Sequence, residues 1–437
     1  MEITYGAERG RALGSAYILF IACLTVPMTV FRALHPNGWT PGDWLVNYEG
    51  GFVRRGLPGE LILGLAHGLH LSPVLIGSLL PLFFYVLLYF SVWQLYRQSS
   101  GDLWTFAALV SPATLAFPIL DPVGAFRKEL LFLLALAFVL FWLTRRKPTD
   151  LALTAFVTAT GVLAILSHEG LLPYLLYLVG ALLIGLNDLK RVAKILILPA
   201  IATAGTLAAV LRYRGNALEE QAICRSLGSA PPIVCSGSIA YLANGTDIAR
   251  ADVMRNIHAY HYLFYYPLLT ILALLPLAAM AVRFFRERRL RPDLLVISTT
   301  ALLSLLASLP LFLYAMDWGR WIYIHVLSLF LLLLFVDIRE REVPSPSMQP
   351  VGPAFRASRP PRWSLAMLLV YATCWNIPHY GNYPKKGYLN IPLHLLKEEM
   401  DHRRSARSAP SSAAKGQALM RELPHAESVA SRVRHQG

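Results

Sequence analysis

Between positions 43 and 60 the chain reads DWLVNYEGGFVRRGLPGE, which sets the carboxylates of Asp43 and Glu49 six residues apart and follows them with adjacent Arg54 and Arg55. A carboxylate can accept the proton of a hydroxyl as that oxygen attacks an electrophilic carbon. An arginine fork matches the oxygens of a phosphate and keeps its charge on partial burial. One segment therefore carries a candidate base, Asp43 first and Glu49 second, and a candidate phosphate grip. Two carboxylates also suit acid/base hydrolysis or a divalent metal, although their spacing specifies neither.

Four other stretches concentrate reactive side chains. They are DPVGAFRKE, with Asp121, Arg127 and Lys128; SHEG, with His168 and Glu169; DWGRW, with Asp317 and Arg320; and PHYG, with His379. Arg127 and Arg320 join the phosphate candidates, and Lys128 is either a point charge at the phosphate or a snorkelling interfacial lysine. His168 and Glu169 suit proton transfer or hydrogen bonding to a sugar, but as sequence neighbours on a helix they would point apart. Asp121 with Arg127, and Asp317 with Arg320, also fit plain ion pairs at helix ends. Trp39, Trp44, Trp318 and Trp321 suit either stacking on sugar rings or an ordinary interfacial belt.

The elements that position these residues are membrane helices. Of 437 residues 55% are hydrophobic and 15% charged, with a mean hydropathy of +0.48. The apolar residues fall in runs of about eighteen to twenty-two, the length that spans a bilayer core. The fold class is an all-α polytopic membrane protein with spans expected over 14–33, 73–95, 103–120, 129–144, 151–167, 170–186, 194–211, 262–282, 293–314, 321–337 and 363–378. The first run lacks a small-residue cleavage site and reads as a retained span. A crossing helix over 57–71 would invert everything after it.

The net charge of +14 comes mostly from Lys and Arg in short loops after alternate spans. Arg9, Arg11, Arg97, Arg145, Lys190, Arg191, Arg283, Arg286, Arg339 and Arg341 mark that side as cytoplasmic, with the N-terminus inside. Membrane lipid is then the basic residues' partner, and nucleic acid is not expected. All five reactive stretches fall on the other, outer side. Arg54, Arg55, Arg127, Lys128 and Arg320 run against the charge bias there, so a shared polar cavity is the expectation.

Residues 1–338 form the expected catalytic core, with outer loops 34–72 and 212–261. A Pro- and Ser-rich cytoplasmic linker covers 339–362, the last span and an outer segment with a short helix over 391–400 cover 363–402, and a basic disordered tail covers 403–437. Cys224 and Cys235 lie in the longest outer loop, where an oxidising compartment would permit a disulfide. No phosphate-loop, nucleophile-elbow, HExxH or CxxC signature is present.

A first outer loop with acids directly after span one, many helices, and outer arginines in Arg54-Arg55-Gly56 and Gly319-Arg320-Trp321 resemble the envelope glycosyltransferases of GT-C type and the EpsG/Wzy-like polysaccharide polymerases. The resemblance implies a polyprenyl-phosphate-linked sugar donor used at the outer face of a bacterial inner membrane, with a first-loop acid as base and other polysaccharide-assembly proteins as partners. Loop one lacks the tight Asp-x-Asp or Glu-x-Asp pair of GT-C enzymes, so no cofactor is implied outright and a divalent metal stays open. A transporter or flippase of an anionic lipid-linked solute, or a non-catalytic subunit of an assembly complex, are the alternatives.

Overall fold

The computed structural model describes residues 2–145, 148–228, 230–286, 290–342, 362–381 and 403. Of the linker expected over 339–362, residues 339–342 and 362 are helical and 343–361 lie outside the described residues, as do the short helix over 391–400 and the tail beyond 403. The described chain is helical, and eight of its helices are long and apolar enough to cross a membrane.

Helix α1 (Glu2–Leu34) leads into a loop holding the short α2 (Thr40–Trp44), and α3 (Leu57–Leu69) follows. Helix α3 does not cross. At its start Gly59 lies against the Val46 carbonyl, and past its end Gly77 of α4 (Pro73–Tyr96) packs on Leu45. Both ends of α3 thus sit at the level of the first loop, and α4 begins on the side where α1 ended. The turn is made by His70 in a left-handed conformation (φ 54°), whose N–H donates to Ala66 and His67 carbonyls, followed by Pro73 at the first position of α4. Leu61, Leu65 and Leu69, four residues apart on one face of α3, are exposed, as suits a helix lying in a membrane surface.

Helix α4 runs back along α1. Tyr89 hydroxyl shares a hydrogen bond of 3.0 Å with Thr25, and Tyr96 hydroxyl donates to the Gly10 carbonyl at 3.3 Å.

The third crossing differs from the continuous helix expected over 103–120. It is built from α5 (Leu103–Leu109), an irregular run, α6 (Phe117–Leu120) and α7 (Pro122–Ala125). Pro112, Pro118 and Pro122 remove backbone donors and break the helix. Side chains compensate: Thr114 hydroxyl lies within hydrogen-bond reach of the Ala108, Leu109 and Ser111 carbonyls, and Asp121 caps α7 by accepting from Gly124 N–H. Nearly every residue from Ala107 to Leu130 is buried, the setting in which irregular backbone is tolerated at membrane depth.

The chain returns through α8 (Glu129–Arg145) and α9 (Asp150–Ser167), then a 3-10 turn over Glu169–Leu175 that runs into α10 (Leu176–Leu186), and α11 (Leu189–Arg212). Helices α9 and α11 pack closely at Gly161, where a Cβ would lie 2.3 Å from Thr203 Oγ1. Residues 213–261 carry α12 (Ala217–Ser226) and α13 (Thr246–Ala259) and form a cap over the first loop. Their shared core buries Trp44, Leu45, Val46 and Val53 from the loop against Ile223, Val234, Ile239 and Leu242 from the cap. Cys224 and Cys235 form a disulfide within this cap.

The remaining elements are α14 (Tyr262–Arg286), α15 (Arg291–Tyr314), α16 (Trp318–Glu342) and α17 (Arg362–Thr373). Helix α16 is the hub: 94% of its apolar window is buried inside the protein, against 17% for the peripheral α11. Past α17 a strap over 376–381 returns to the start of α16, where Gly319 N–H donates to the His379 carbonyl.

At the end of the bundle away from the first loop, Arg283 pairs with Asp102 and Asp337 and lies 3.8 Å from Glu340. Ser100 N–H donates to Asp337 at 2.6 Å. This network ties α5, α14 and α16 together.

Candidate functional site

The site grows from the contact between the first loop and the 126–128 run that precedes α8. Trp44 indole N–H donates to the Phe126 carbonyl at 3.0 Å and fixes α2 on that run. Lys128 N–H then faces Asp43 Oδ2 at 3.5 Å, while Lys128 Nζ donates to the Arg55 carbonyl at 2.6 Å. Arg55 takes a left-handed backbone (φ 66°), uncommon for a residue with a Cβ. Its side chain is held as firmly: Nε and Nη2 donate to Glu169 Oε2 and Oε1 at 2.8 and 2.5 Å, and Arg54 Nη1 reaches the same Oε1 at 3.3 Å.

A second knot lies beside the first. Arg320 Nη2 is 3.1 Å from Asp317 Oδ2, and its Nη1 is 3.4 Å from Glu129 Oε1. Arg127 reaches Asp317 at 3.6 Å, donates to the Trp39 carbonyl, and bonds Ser238 Oγ of the cap at 3.1 Å. His168 Nδ1 accepts from Gly170 N–H at 3.0 Å, so the ring carries its proton on Nε2, which faces Glu129 Oε1 at 3.9 Å. Both Glu129 carboxylate oxygens and Arg320 Nε are buried without a hydrogen bond.

Asp43, Arg54, Arg55, Arg127, Lys128, His168, Glu169, Asp317 and Arg320 are therefore brought together at one end of the bundle. Asp121 and His379 adjoin them through the strap: His379 N–H donates to Asp121 Oδ2 at 2.6 Å, and its Nδ1 lies 2.7 Å from Oδ1. Glu49 stands apart, exposed on the loop with its own N–H turned to Asn47. Of the two local ion pairs considered from sequence, Asp317–Arg320 forms, whereas Asp121 takes His379 and Arg127 takes Asp317. His168 and Glu169 diverge, one to Glu129 and one to Arg55. Trp44 is fully buried and Trp321 nearly so, with Trp321 edge-on to His168.

The electrostatics follow from burial and pairing. Burial alone would raise the Asp43 carboxyl, but Arg127 and Lys128 hold it below the usual carboxylate range. Asp317 is likewise lowered against its burial by Arg320 and Arg127. Lys128 is pushed down to about 8 by burial, with Asp43 pulling the other way. Side-chain exposure grades from the lip to the floor: Arg54, Arg55 and Glu169 keep 22, 24 and 17%, while Lys128, Glu129 and Arg320 are buried. Asp317 keeps 21% as well, so a ligand entering at this end would meet the arginine pair and the Asp317 carboxylate before the floor.

Glu129 is the residue that reasoning from sequence missed. As the first residue of an apolar helix it reads as a carboxylate complementing the helix dipole, and only the fold places it between His168 and Arg320. Among the described residues no group of three or more His, Cys, Asp or Glu side chains is arranged to hold a metal ion. No protein-family model, curated protein or solved structure matches the chain.

Proposed function

We propose that this chain transfers a glycosyl group from a polyprenyl-phosphate-linked donor, at the outer face of a bacterial inner membrane, in the assembly of a cell-surface polysaccharide. The observation that carries the reading is the partly exposed arginine pair. Arg54 and Arg55 share the single carboxylate of Glu169, so two guanidinium charges stand against one carboxylate charge at the lip of the site. That is the chemistry a phosphate or pyrophosphate needs. The basic helix ends on the opposite side of the bundle support a cytoplasmic face there, and with it an outer site in this reading.

In this reading the donor phosphate sits on Arg54 and Arg55. The acceptor hydroxyl is aligned by an ionised carboxylate on the floor, with Asp43 the first-loop candidate. The hydroxyl oxygen bonds to the anomeric carbon as its proton passes to a carboxylate of the floor, the bond from that carbon to the phosphate oxygen breaks, and the lipid phosphate leaves with its charge stabilised by the arginines. Arg127 and Arg320 steady the carboxylates behind it.

Mass spectrometry of polyprenyl-linked saccharides tests this in cells lacking the chain, cells carrying it, and cells carrying Arg54→Ala. Accumulation of one lipid-linked sugar in the null and the variant is the expected result. An unchanged pool would overturn transfer. It would favour a transporter of an anionic lipid-linked solute, a reading for which the broken crossing over 103–128, lying between charge networks at both ends of the bundle, speaks.

A further inference from the structure

We propose that Glu129, faced by His168, is the carboxyl that takes up and releases the proton at this site, in place of either first-loop acid. Glu49 is exposed and away from the cluster, and Asp43 is already engaged by Lys128 N–H and flanked by Arg127 and Lys128. Glu129 is 3% exposed, yet neither of its oxygens receives a hydrogen bond from another residue. Buried polar atoms are paired in the great majority of cases, and a catalytic role is one of the reasons a buried group stays unpaired.

The surroundings leave that oxygen pair one open task. Arg320 of α16 approaches Oε1 at 3.4 Å as a charge, without hydrogen-bond alignment. His168, between α9 and the 3-10 turn, faces the same oxygen with its Nε2–H, and the Gly170 N–H on Nδ1 prevents the ring from turning its tautomer. Asp43 of α2 and Arg127 of the 126–128 run act through space. Oε2 is left to accept. His168 cannot serve as a base while Nδ1 is occupied, which leaves Glu129 as the proton acceptor; in the proposal the Nε2–H closes the 3.9 Å to Oε1 as a ligand enters and so positions the carboxylate. The inference rests on the transfer reading only for the source of the proton: the acceptor hydroxyl's proton passes to Oε2 as its oxygen bonds to the anomeric carbon, and is released to water after the lipid phosphate has left.

Difference infrared spectra of the full chain in lipid nanodiscs, titrated from neutral to acid pH, read carboxylic-acid C=O formation directly. A band that disappears in Glu129→Gln and persists in Asp43→Asn is expected; one that persists in Glu129→Gln, or vanishes in Asp43→Asn instead, overturns the proposal. Should Glu129→Gln not fold, Glu129→Asp is expected to move the band, and an unmoved band overturns the proposal equally. His168→Gln keeps an N–H donor where Nε2 stood and should leave the band in place, while His168→Leu should shift it; identical spectra for the two would remove His168 from the positioning role. In cells, Glu129→Gln is expected to slow consumption of the lipid-linked sugar by about 100-fold or more. The two readings separate cleanly. A Glu129-dependent band with an unchanged lipid pool in cells lacking the chain supports the proton site and removes glycosyl transfer, whereas a Glu129-independent band overturns the proton site alone.

Discussion

Arg55 and Glu169 meet in a two-bond fork across the lip of the site, at 2.8 and 2.5 Å, although the two residues lie 114 positions apart in the chain. The fork joins the first loop to the turn between α9 and α10, and Arg54 leans on the same carboxylate. Hydrogen bonds to charged groups contribute more than neutral ones, so Glu169→Gln should cost about 1.5–3 kcal/mol. Thermal unfolding in nanodiscs would show it, and a double-mutant cycle with Arg55→Gln should return a coupling energy of that order. A cycle near zero would mean that the loop is held by the cap alone.

Asp43→Asn should keep the fold, since the amide oxygen still faces Lys128 N–H, but should lower transfer by about 100-fold if the carboxylate's charge aligns the acceptor. Its pH behaviour has a defined sign. Arg127 and Lys128 depress the folded-state value below the ordinary 3.8, so the ionised group contributes stability above that pH and loses it as the pH falls further toward the folded value. The variant should thus be less stable than the wild type at neutral pH and lose less on acidification below about pH 4. Parallel acid-unfolding curves for the two proteins would contradict this.

Lys128 behaves in the opposite way. Burial lowers it from 10.5 to about 8, so between those values the unfolded chain holds a proton that the folded chain has released. Stability from this group therefore rises with pH through that window, and its burial cost is present in full below pH 8. Against Lys128→Met, the wild type should gain on the order of 2–3 kcal/mol in relative stability from pH 7.5 to 10.5. Over the same range Lys128 loses the charge that faces Asp43, so transfer should fall as stability rises. Melting curves and lipid-pool turnover across that range check both halves.

The membrane fold was legible because a bilayer imposes length and polarity on each span, and a single long apolar run reports both. The gathering of the five reactive stretches was legible for a related reason. Alternation of basic loops sorts the connections to one side or the other, and Arg127 and Arg320 fall in connections of the same side. The partners were not legible. Asp121 is nearer in sequence to Arg127 than to His379, yet the strap after α17 brings His379 to it, and no local pattern records that return. The broken crossing hid behind apolar composition, because Leu109 and Phe117 are as apolar as any helix interior and only Pro112, Pro118 and Pro122 hint at the interruption. Glu129 was masked by its place at a helix start, where an acid has an ordinary local explanation.

The disulfide between Cys224 and Cys235 closes a short loop in the cap, and the cap holds Arg127 through Ser238. Cys235→Ser should cost the cap about 2–4 kcal/mol by freeing its unfolded ensemble. Hydrogen exchange over 217–245 would rise first, while exchange in α16 stays unchanged. The same pair tests orientation. In intact cells a bonded pair resists membrane-impermeant maleimide until a reductant is added outside, as expected for an outer cap; ready labelling only after lysis, without reductant, would place the cap in the cytoplasm.

Gly319 sets how closely the strap can lie on α16. A Cβ at this position would stand 1.9 Å from the Pro378 carbonyl oxygen and 2.7 Å from its carbon, and both are backbone atoms that cannot swing aside as a side chain would. Gly319→Ala must therefore lift residues 376–381, stretching the bond from Gly319 N–H to His379 and the contacts of His379 with Asp121. Overpacking of this kind costs about 1–3 kcal/mol. Gly64 of α3 offers the control, since nothing lies within 4 Å of its Cβ position and its helix interior favours alanine, so Gly64→Ala should be neutral or stabilise by about 0.5–1 kcal/mol. The decisive readout is exchange at the strap amides. If Gly319→Ala raises exchange at His379 and Gly381 and also weakens transfer, the strap closes the site over Arg320; if exchange rises and transfer holds, the strap is a fastening of α17 that the chemistry does not need.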